Sequence, residues 1–283
     1  MESQLKAARV QSPSSINTYM HCPRKYFCQY ILKLPSRPNI HLIRGSLVHK
    51  VLEDFFTIRP SALEGDPAAF LRDWISQRFS DLWIGSLDEL NTLSVPDLGG
   101  YFDESVVMLS NFTEGFLAKL DAEVARGLSV QQGFIKLRPT TEHQIVSKSL
   151  MVRGFIDAID TFQGKVRLLD YKTSNSDEIS DDYRRQLAIY AFLYEEEYGR
   201  PPGFVGVHFL KFQEKNMPVD QDLIQYGVQQ VKYVHSQTLS TRIDEYPMNP
   251  GPLCKWRTGQ CDFYERCFPA KGHSDFVELK MEK

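Results

Sequence analysis

The sequence predicts an α/β fold in which a mixed central β-sheet is flanked by helices, and three stretches of the 283-residue chain carry that prediction. Met151 to Ser174 reads as a β-hairpin. Two runs rich in Val, Ile, Phe and Leu meet at Phe162-Gln163-Gly164-Lys165, where Gly supplies the positive φ of a tight turn. Asp181 to Tyr198 reads as a helix, with Tyr183, Leu187, Tyr190, Ala191 and Tyr194 along one stripe. Phe204 to Phe212 reads as a strand after Arg200-Pro201-Pro202-Gly203. Strand, helix and strand form a crossover that joins parallel strands, so this pair and the antiparallel hairpin together make a mixed sheet.

From the N-terminus, Ser12-Pro13 followed by Ser14 and Ser15 marks a helix start. Ser12 is the N-cap, and Pro13 takes the first helical position, where its missing N–H costs nothing. His21-Cys22-Pro23 interrupts after about Met20, and Arg24 to Leu32 resumes as a basic segment whose Tyr26, Phe27 and Tyr30 suit either a core or a base-stacking surface. Leu42 to Phe56 is an amphipathic helix, with Leu47, Val48, Val51, Leu52 and Phe55 at helical spacing and His49 and Glu53 four apart on one side. Residues 59–128 read as helical, broken at Gly65-Asp66-Pro67 and from Pro96 to Gly100, with no internal repeat. Strands resume at Thr141 to Val146, a last helix spans Leu223 to Ile243, and the tail beyond Pro247 is loop-like. The chain thus divides into a basic helical segment (1–56), a helical insertion (57–135), a sheet-bearing core (136–246) and a cysteine-rich tail (247–283).

A hydrophobic share of 42% and a charged share of 24% fit a globular domain with a sizeable core. No apolar leader and no run near 18 apolar residues is present, which predicts a cytoplasmic protein without a transmembrane helix. The net charge of -3 is unevenly spread: residues 1–50 hold eight Lys or Arg against the single acid Glu2, and the remainder holds 25 basic against 35 acidic residues. A basic segment in an acidic protein suits a polyanionic partner or a solvated helix face.

The hairpin carries charge inside apolar strands. With Gln163 and Gly164 as the loop, Phe162 pairs with Lys165, and counting back sets Asp157 opposite Asp170. Directly opposed residues have Cβ atoms about 4.5–5.5 Å apart, near enough for two carboxylates to hold one hard cation at about 2.0–2.1 Å per ligand. Lys172 falls on the same face as Asp170, one pleat on. Cysteines lie at 22, 28, 254, 261 and 267, the last three close together in a chain without a secretory signal, which argues for metal over disulfides. Zinc and an iron–sulfur cluster both need a fourth ligand, for which Cys22, Cys28 and His273 are the candidates.

Together these residues resemble the RecB-like branch of the PD-(D/E)xK nuclease superfamily, in particular its iron–sulfur members, the CRISPR-associated RecB-like exonucleases and the nuclease domain of AddB. The motifs that carry the resemblance are the Ser-rich start with Asn17-Thr18-Tyr19 leading to Cys22-Pro23, Gly45 and His49, Gly154-Phe155-Ile156-Asp157, Asp170-Tyr171-Lys172-Thr173, Gln186 with Tyr190, and the terminal Cys254, Cys261 and Cys267. It implies a restriction-endonuclease-like core and a metal-dependent DNA exonuclease that acts on single strands or DNA ends in repair, recombination or CRISPR adaptation, alongside a helicase or adaptation proteins. His49, Asp157, Asp170 and the Tyr171 carbonyl would hold Mg²⁺ or Mn²⁺. Lys172 would position or activate the attacking water and offset phosphate charge, Gln186 would orient water or lysine, and Tyr190 would line the DNA side. Cys22, Cys254, Cys261 and Cys267 would bind a [4Fe–4S] cluster stapling the chain ends, with Cys28 left in the core. The six residues between Cys254 and Cys261 depart from the two-residue gap common in that branch. A non-catalytic DNA-binding subunit is the alternative, and the complete Asp157, Asp170, Lys172 set speaks against it.

Overall fold

The computed structural model describes residues 9–93, 95–256 and 259–269, so the candidate ligand His273 lies outside the described residues. Five strands form one sheet in the order β1 (Thr140–Ser147), β2 (Val152–Phe162), β3 (Lys165–Lys172), β4 (Phe204–Phe209) and β5 (Glu214–Pro218). Among these five strands the β3–β4 pairing alone is parallel, because α8 (Asp181–Tyr198) carries the chain across one face between them. Gln163 and Gly164 have φ of 51° and 73°, the double positive turn that matches the twist of a two-residue hairpin, and Phe162 pairs with Lys165 as the sequence predicts.

Helices cover both faces of this sheet. On one side lie α1 (Pro13–His21), α2 (Pro23–Tyr26), a π-helical turn over Phe27–Ile31, α8 and α9 (Gln221–Gln237), whose apolar side chains share a core with Ile156, Leu168, Val205 and Val207. Ser12 and Ser15 form the reciprocal cap of α1 with Pro13 at its first position, and Gly199 (φ 68°) ends α8. At Gly227, α9 meets α8 so closely that a Cβ would stand 2.6 Å from the Ala188 carbonyl.

On the other side, α3 (Ile40–Phe55), α4 (Pro67–Gly85), α5 (Leu87–Asn91), α6 (Leu98–Ala125) and α7 (Val130–Leu137) share a core with Ala158, Leu169, Tyr171 and Leu210. Residues 57–135 therefore supply most of one complete layer. Lys119 of α6 ties that layer to the sheet edge through Glu214 at 2.6 Å, and Glu214 also pairs with Arg167, which is 2% exposed and held by Asp160. No helix among the described residues is long and apolar enough to cross a membrane.

Three elements differ from the sequence prediction. The strand beginning at Phe204 ends at Phe209, and a short polar edge strand, β5, follows it. The last long helix stops at Gln237 because the Ser and Thr residues beyond it turn their hydroxyls on the backbone: Thr238 Oγ1 donates to the Val234 carbonyl at 2.7 Å, and the Arg242 N–H donates to Ser240 Oγ. In the tail, β6 (Lys255–Trp256), β7 (Gly259–Gln260) and α10 (Tyr264–Cys267) give the cysteine region short regular pieces.

Candidate active site

Asp157 sits where the sheet's regular pattern fails. Ile156 and Ile159 both pack on the α8 side while Ala158 packs on the other, so alternation breaks beside Asp157. Pairing of β2 with β3 stops at Ala158–Leu169, one step short of the Asp157–Asp170 pair. The Asp157 side chain fills the opening, and its Oδ2 accepts the Tyr171 N–H at 2.7 Å in place of a strand carbonyl. A carboxylate thus caps the end of a ladder.

Asp170 and Lys172 follow on β3. Asp170 is 2% exposed, and its Oδ1 accepts from Gln186 Nε2 of α8 at 2.7 Å. Its Oδ2 lies 2.6 Å from Lys172 Nζ, so the ammonium stands directly against the buried carboxylate. Burial pushes the Asp170 carboxyl up to about 6, against the pull of the Lys172 charge. Lys172 moves up as well: burial opposes its charge, but the Asp170 carboxylate outweighs burial and keeps the ammonium protonated. Its Nζ stands 5.2 Å from the Tyr183 ring centroid.

His49 reaches the same point from α3, with Nδ1 3.4 Å from Asp157 Oδ1. Burial works against imidazolium here, yet the contact with Asp157 prevails and raises the His49 pKa. Its ring meets the edge of the Tyr171 ring, which faces the α3 side against Phe112 and His208.

Glu142 on β1 joins this group and was not anticipated from the sequence. His49, Glu142 and Asp157 each offer a ligand atom within 4.8 Å of the others. These side chains line a cleft of about 480 Å³ with His41, Gly45, Ser46 and Lys50. Glu142 has a φ of 48°, a left-handed conformation uncommon for a residue with a side chain, and lies in line with Asp157 across β1 and β2 where the ladder omits a pair. Desolvation in the cleft and then the Asp157 charge push its carboxyl up. The signal for it is the β1 register, which the sequence alone did not fix.

These donors suit a hard divalent cation. His49, Glu142 and Asp157 offer one ring nitrogen and two carboxylates within reach of one another, and Asp170 on β3 adds a buried carboxylate paired with Lys172. Burial first pushes the Glu142 and Asp170 carboxyls up, and His49 moves up against burial through its contact with Asp157, so the acids here hold charge at a cost that a bound cation would lower.

Tyr190 lies in the core beneath the site. It is 4% exposed, and its hydroxyl accepts from Gln186 Nε2 at 2.8 Å, so it meets the acids through Gln186. Gly154 makes room for it: a Cβ there would lie 2.9 Å from both Tyr190 Cε1 and Leu193 Cδ1. Gly154→Ala should therefore lower stability by about 1–3 kcal/mol through overpacking, which urea unfolding followed by fluorescence would measure. An unchanged midpoint would show that Tyr190 can yield.

The cysteines gather elsewhere. Cys22, Cys254, Cys261 and Cys267 line one cavity of about 600 Å³ between the start of α2 and the tail, and Cys28 is 3% exposed beside them. Burial and then neighbouring thiols push Cys267 up to about 11. Among the described residues the sulfurs do not close into a ligand set as His49, Glu142 and Asp157 do. Much of the basic N-terminal segment is engaged internally: Arg24 donates to the Tyr246 carbonyl, Arg37 contacts Glu265, Arg44 pairs with Glu104, and Lys50 with Glu53 and Asp54.

Comparison with known proteins bears on the family and the fold. The chain is 26% identical over 216 residues to the Gene 69 protein of Mycobacterium phage D29, covering 74% of this chain and 77% of that protein. It is also 26% identical over 229 residues to the Gene 69 protein of Mycobacterium phage L5, covering 71% and 76%. A crystal structure of a candidate exonuclease from Eubacterium rectale superposes with a TM-score of 0.51 at 12% identity, over 100% of this chain and 97% of that one, a likeness of fold. The sequence pattern of a single family runs through residues 11–268, from the cap of α1 to the last cysteine, and by it the chain belongs to the PD-(D/E)XK nuclease superfamily.

Proposed function

We propose that the protein is a Mg²⁺- or Mn²⁺-dependent deoxyribonuclease that degrades DNA from its ends, with single strands as the preferred substrate. The observation that carries this reading is the grouping of His49, Glu142 and Asp157, from α3, β1 and β2, within 4.8 Å of one another, with Asp157 also bonded to the Tyr171 N–H between the paired Asp170 and Lys172 of β3. His49, Asp157 and Asp170, with the Tyr171 carbonyl and Glu142, would hold the ion. When bound, it supplies Lewis acidity toward the phosphate and a more acidic water.

The rest falls to the chain itself. Lys172, held as an ammonium by Asp170, places fixed positive charge where the scissile phosphate gains negative charge. Gln186 keeps the Asp170 carboxylate turned toward the site, and Tyr190 fixes Gln186 in turn. Attack from ends is favoured by the E. rectale neighbour, a candidate exonuclease of the same fold. Cys22, Cys254, Cys261 and Cys267 would be the ligands of a [4Fe–4S] cluster; they line one cavity without standing as a closed ligand set among the described residues, and iron content and visible absorption after anaerobic purification test the reading.

The deciding experiment is digestion of labelled linear and circular DNA, single- and double-stranded, with Mg²⁺, Mn²⁺ or chelator. Linear single strands should be shortened progressively with metal and spared by chelator. Equal cutting of circles would remove the end requirement, and no cutting under any condition would remove the reading altogether.

A further inference from the structure

Arg44 lies outside the ligand set, yet it joins two elements that build the site. It is 3% exposed. One arm of its guanidinium, Nη2, donates to the carbonyl of Thr173, the residue after Lys172, at 3.1 Å. The other, Nη1, donates to Glu104 Oε2 of α6 at 2.6 Å. The same Glu104 oxygen accepts from Lys211 Nζ at 2.9 Å, and Lys211 also bonds Asn175 in the loop that follows β3. The Arg44 guanidinium stands 5.3 Å from the ring centroid of Tyr101, also on α6, and its Nε is buried without a partner. Alongside, α3 passes close to the strand end at Gly45, where a Cβ would be 3.9 Å from Thr173 Oγ1.

This arrangement is poor as a source of stability. A buried guanidinium loses its hydration, its carboxylate partner is 46% exposed at the side chain, and one nitrogen goes unsatisfied. It is well suited to holding position. Arg44 and His49 share α3, Asp170 and Lys172 share β3, and the rigid planar guanidinium ties α3 to the strand end with one arm and to α6 with the other, so that the three elements are set relative to one another. The Glu104 end of the fork comes from the helical segment 57–135.

We propose that Arg44, fixed by Glu104, is a positioning residue that sets the His49-bearing helix against the Lys172-bearing strand, so that the 57–135 segment takes part in the chemistry. The inference rests on the nuclease reading above. Its effect is on the geometry of the donors, and so it reaches cation affinity as well as turnover.

The test compares Glu104→Gln and Arg44→Lys with Phe79→Leu, which thins the fully buried core of the same helical layer and leaves the clamp's hydrogen-bonding groups in place. Mn²⁺ binding without DNA is followed by electron paramagnetic resonance of the free ion, and cleavage is resolved into kcat and KM, all below the melting temperatures. Both clamp variants should bind Mn²⁺ about 10-fold more weakly and lose about 10-fold in kcat with KM little changed, the scale seen when supports of a ligand are removed. Phe79→Leu should lower the melting temperature and leave Mn²⁺ affinity as in the wild type. Clamp variants within twofold of wild type in both measures, or an equal loss in Phe79→Leu, would overturn the proposal. A wild-type chain that binds Mn²⁺ but does not cleave DNA would defeat the nuclease reading alone, with the Mn²⁺ arm still deciding the clamp. A wild-type chain that binds no Mn²⁺ would overturn both.

Discussion

Lys172→Ala should give a folded, metal-binding protein whose DNA cleavage is slower by roughly 10²–10⁴-fold, the range for losing a positioned acid–base or charge-stabilising group. The direction follows from what Lys172 contacts. Its Nζ is 2.6 Å from Asp170 Oδ2 and is held protonated by that carboxylate, so its removal deletes a cation at the reacting centre. Beside the ion pair, what goes with it is the face of the Tyr183 ring, its centroid 5.2 Å from Nζ, and the side chain is 22% exposed. Single-turnover cleavage would measure the loss and titration with Mn²⁺ would show binding retained. Cleavage within tenfold of wild type would mean that Lys172 is only the counter-ion of Asp170.

Asp157→Asn should cost more in metal binding than in folding. The carboxamide oxygen can still accept the Tyr171 N–H, so the opening between β2 and β3 stays capped, but the negative charge facing His49 is gone. Mn²⁺ affinity should fall at least about 100-fold, beyond the 10–100-fold expected for a supporting partner, and cleavage should follow it. Asp157→Ala would lose the acceptor too and should cost about 1–3 kcal/mol of stability for the unpaired N–H. Protonation should act in the same direction. With the Asp170 carboxyl raised to about 6, protons compete for that ligand as pH falls from 7 to 5, and Mn²⁺ affinity should drop across that interval. A flat affinity over those values would show that Asp170 is not a ligand.

How far the site could be read in advance depended on which contacts are local. The hairpin register follows from one turn, because Gln163-Gly164 admits one loop geometry and every later pair is then counted from Phe162–Lys165. Counting from it gives the Ala158–Leu169 pair that the structure has, but the Asp157–Asp170 pair expected one step further is not formed. It could not reveal that pairing stops before the two acids, since the break in alternation at Asp157 and Ala158 is set by which core each neighbour joins. Glu142 escaped for a similar reason: its strand enters through a separate turn, and only the finished β1–β2 register aligns it with Asp157. The edge strand β5 has the sequence Glu-Lys-Asn-Met-Pro, with no alternating apolar residues to announce it. In 57–135 the helical periodicity was plain. What those helices cover was not, because an apolar stripe does not name its partner, and the region turned out to share its core with α3 and the sheet.

The unfinished ladder between β2 and β3 sets a direction for change under selection. A sheet that continued through Asp157 and Asp170 with two apolar residues would gain cross-strand packing and shed buried charge, so the most stable version of this fold is one that cannot hold the ion. On the nuclease reading, the site works against the fold's own preference. A lineage released from the need to cut DNA should lose these acids early and close the gap, becoming a sturdier protein with the same outline and nothing left to catalyse.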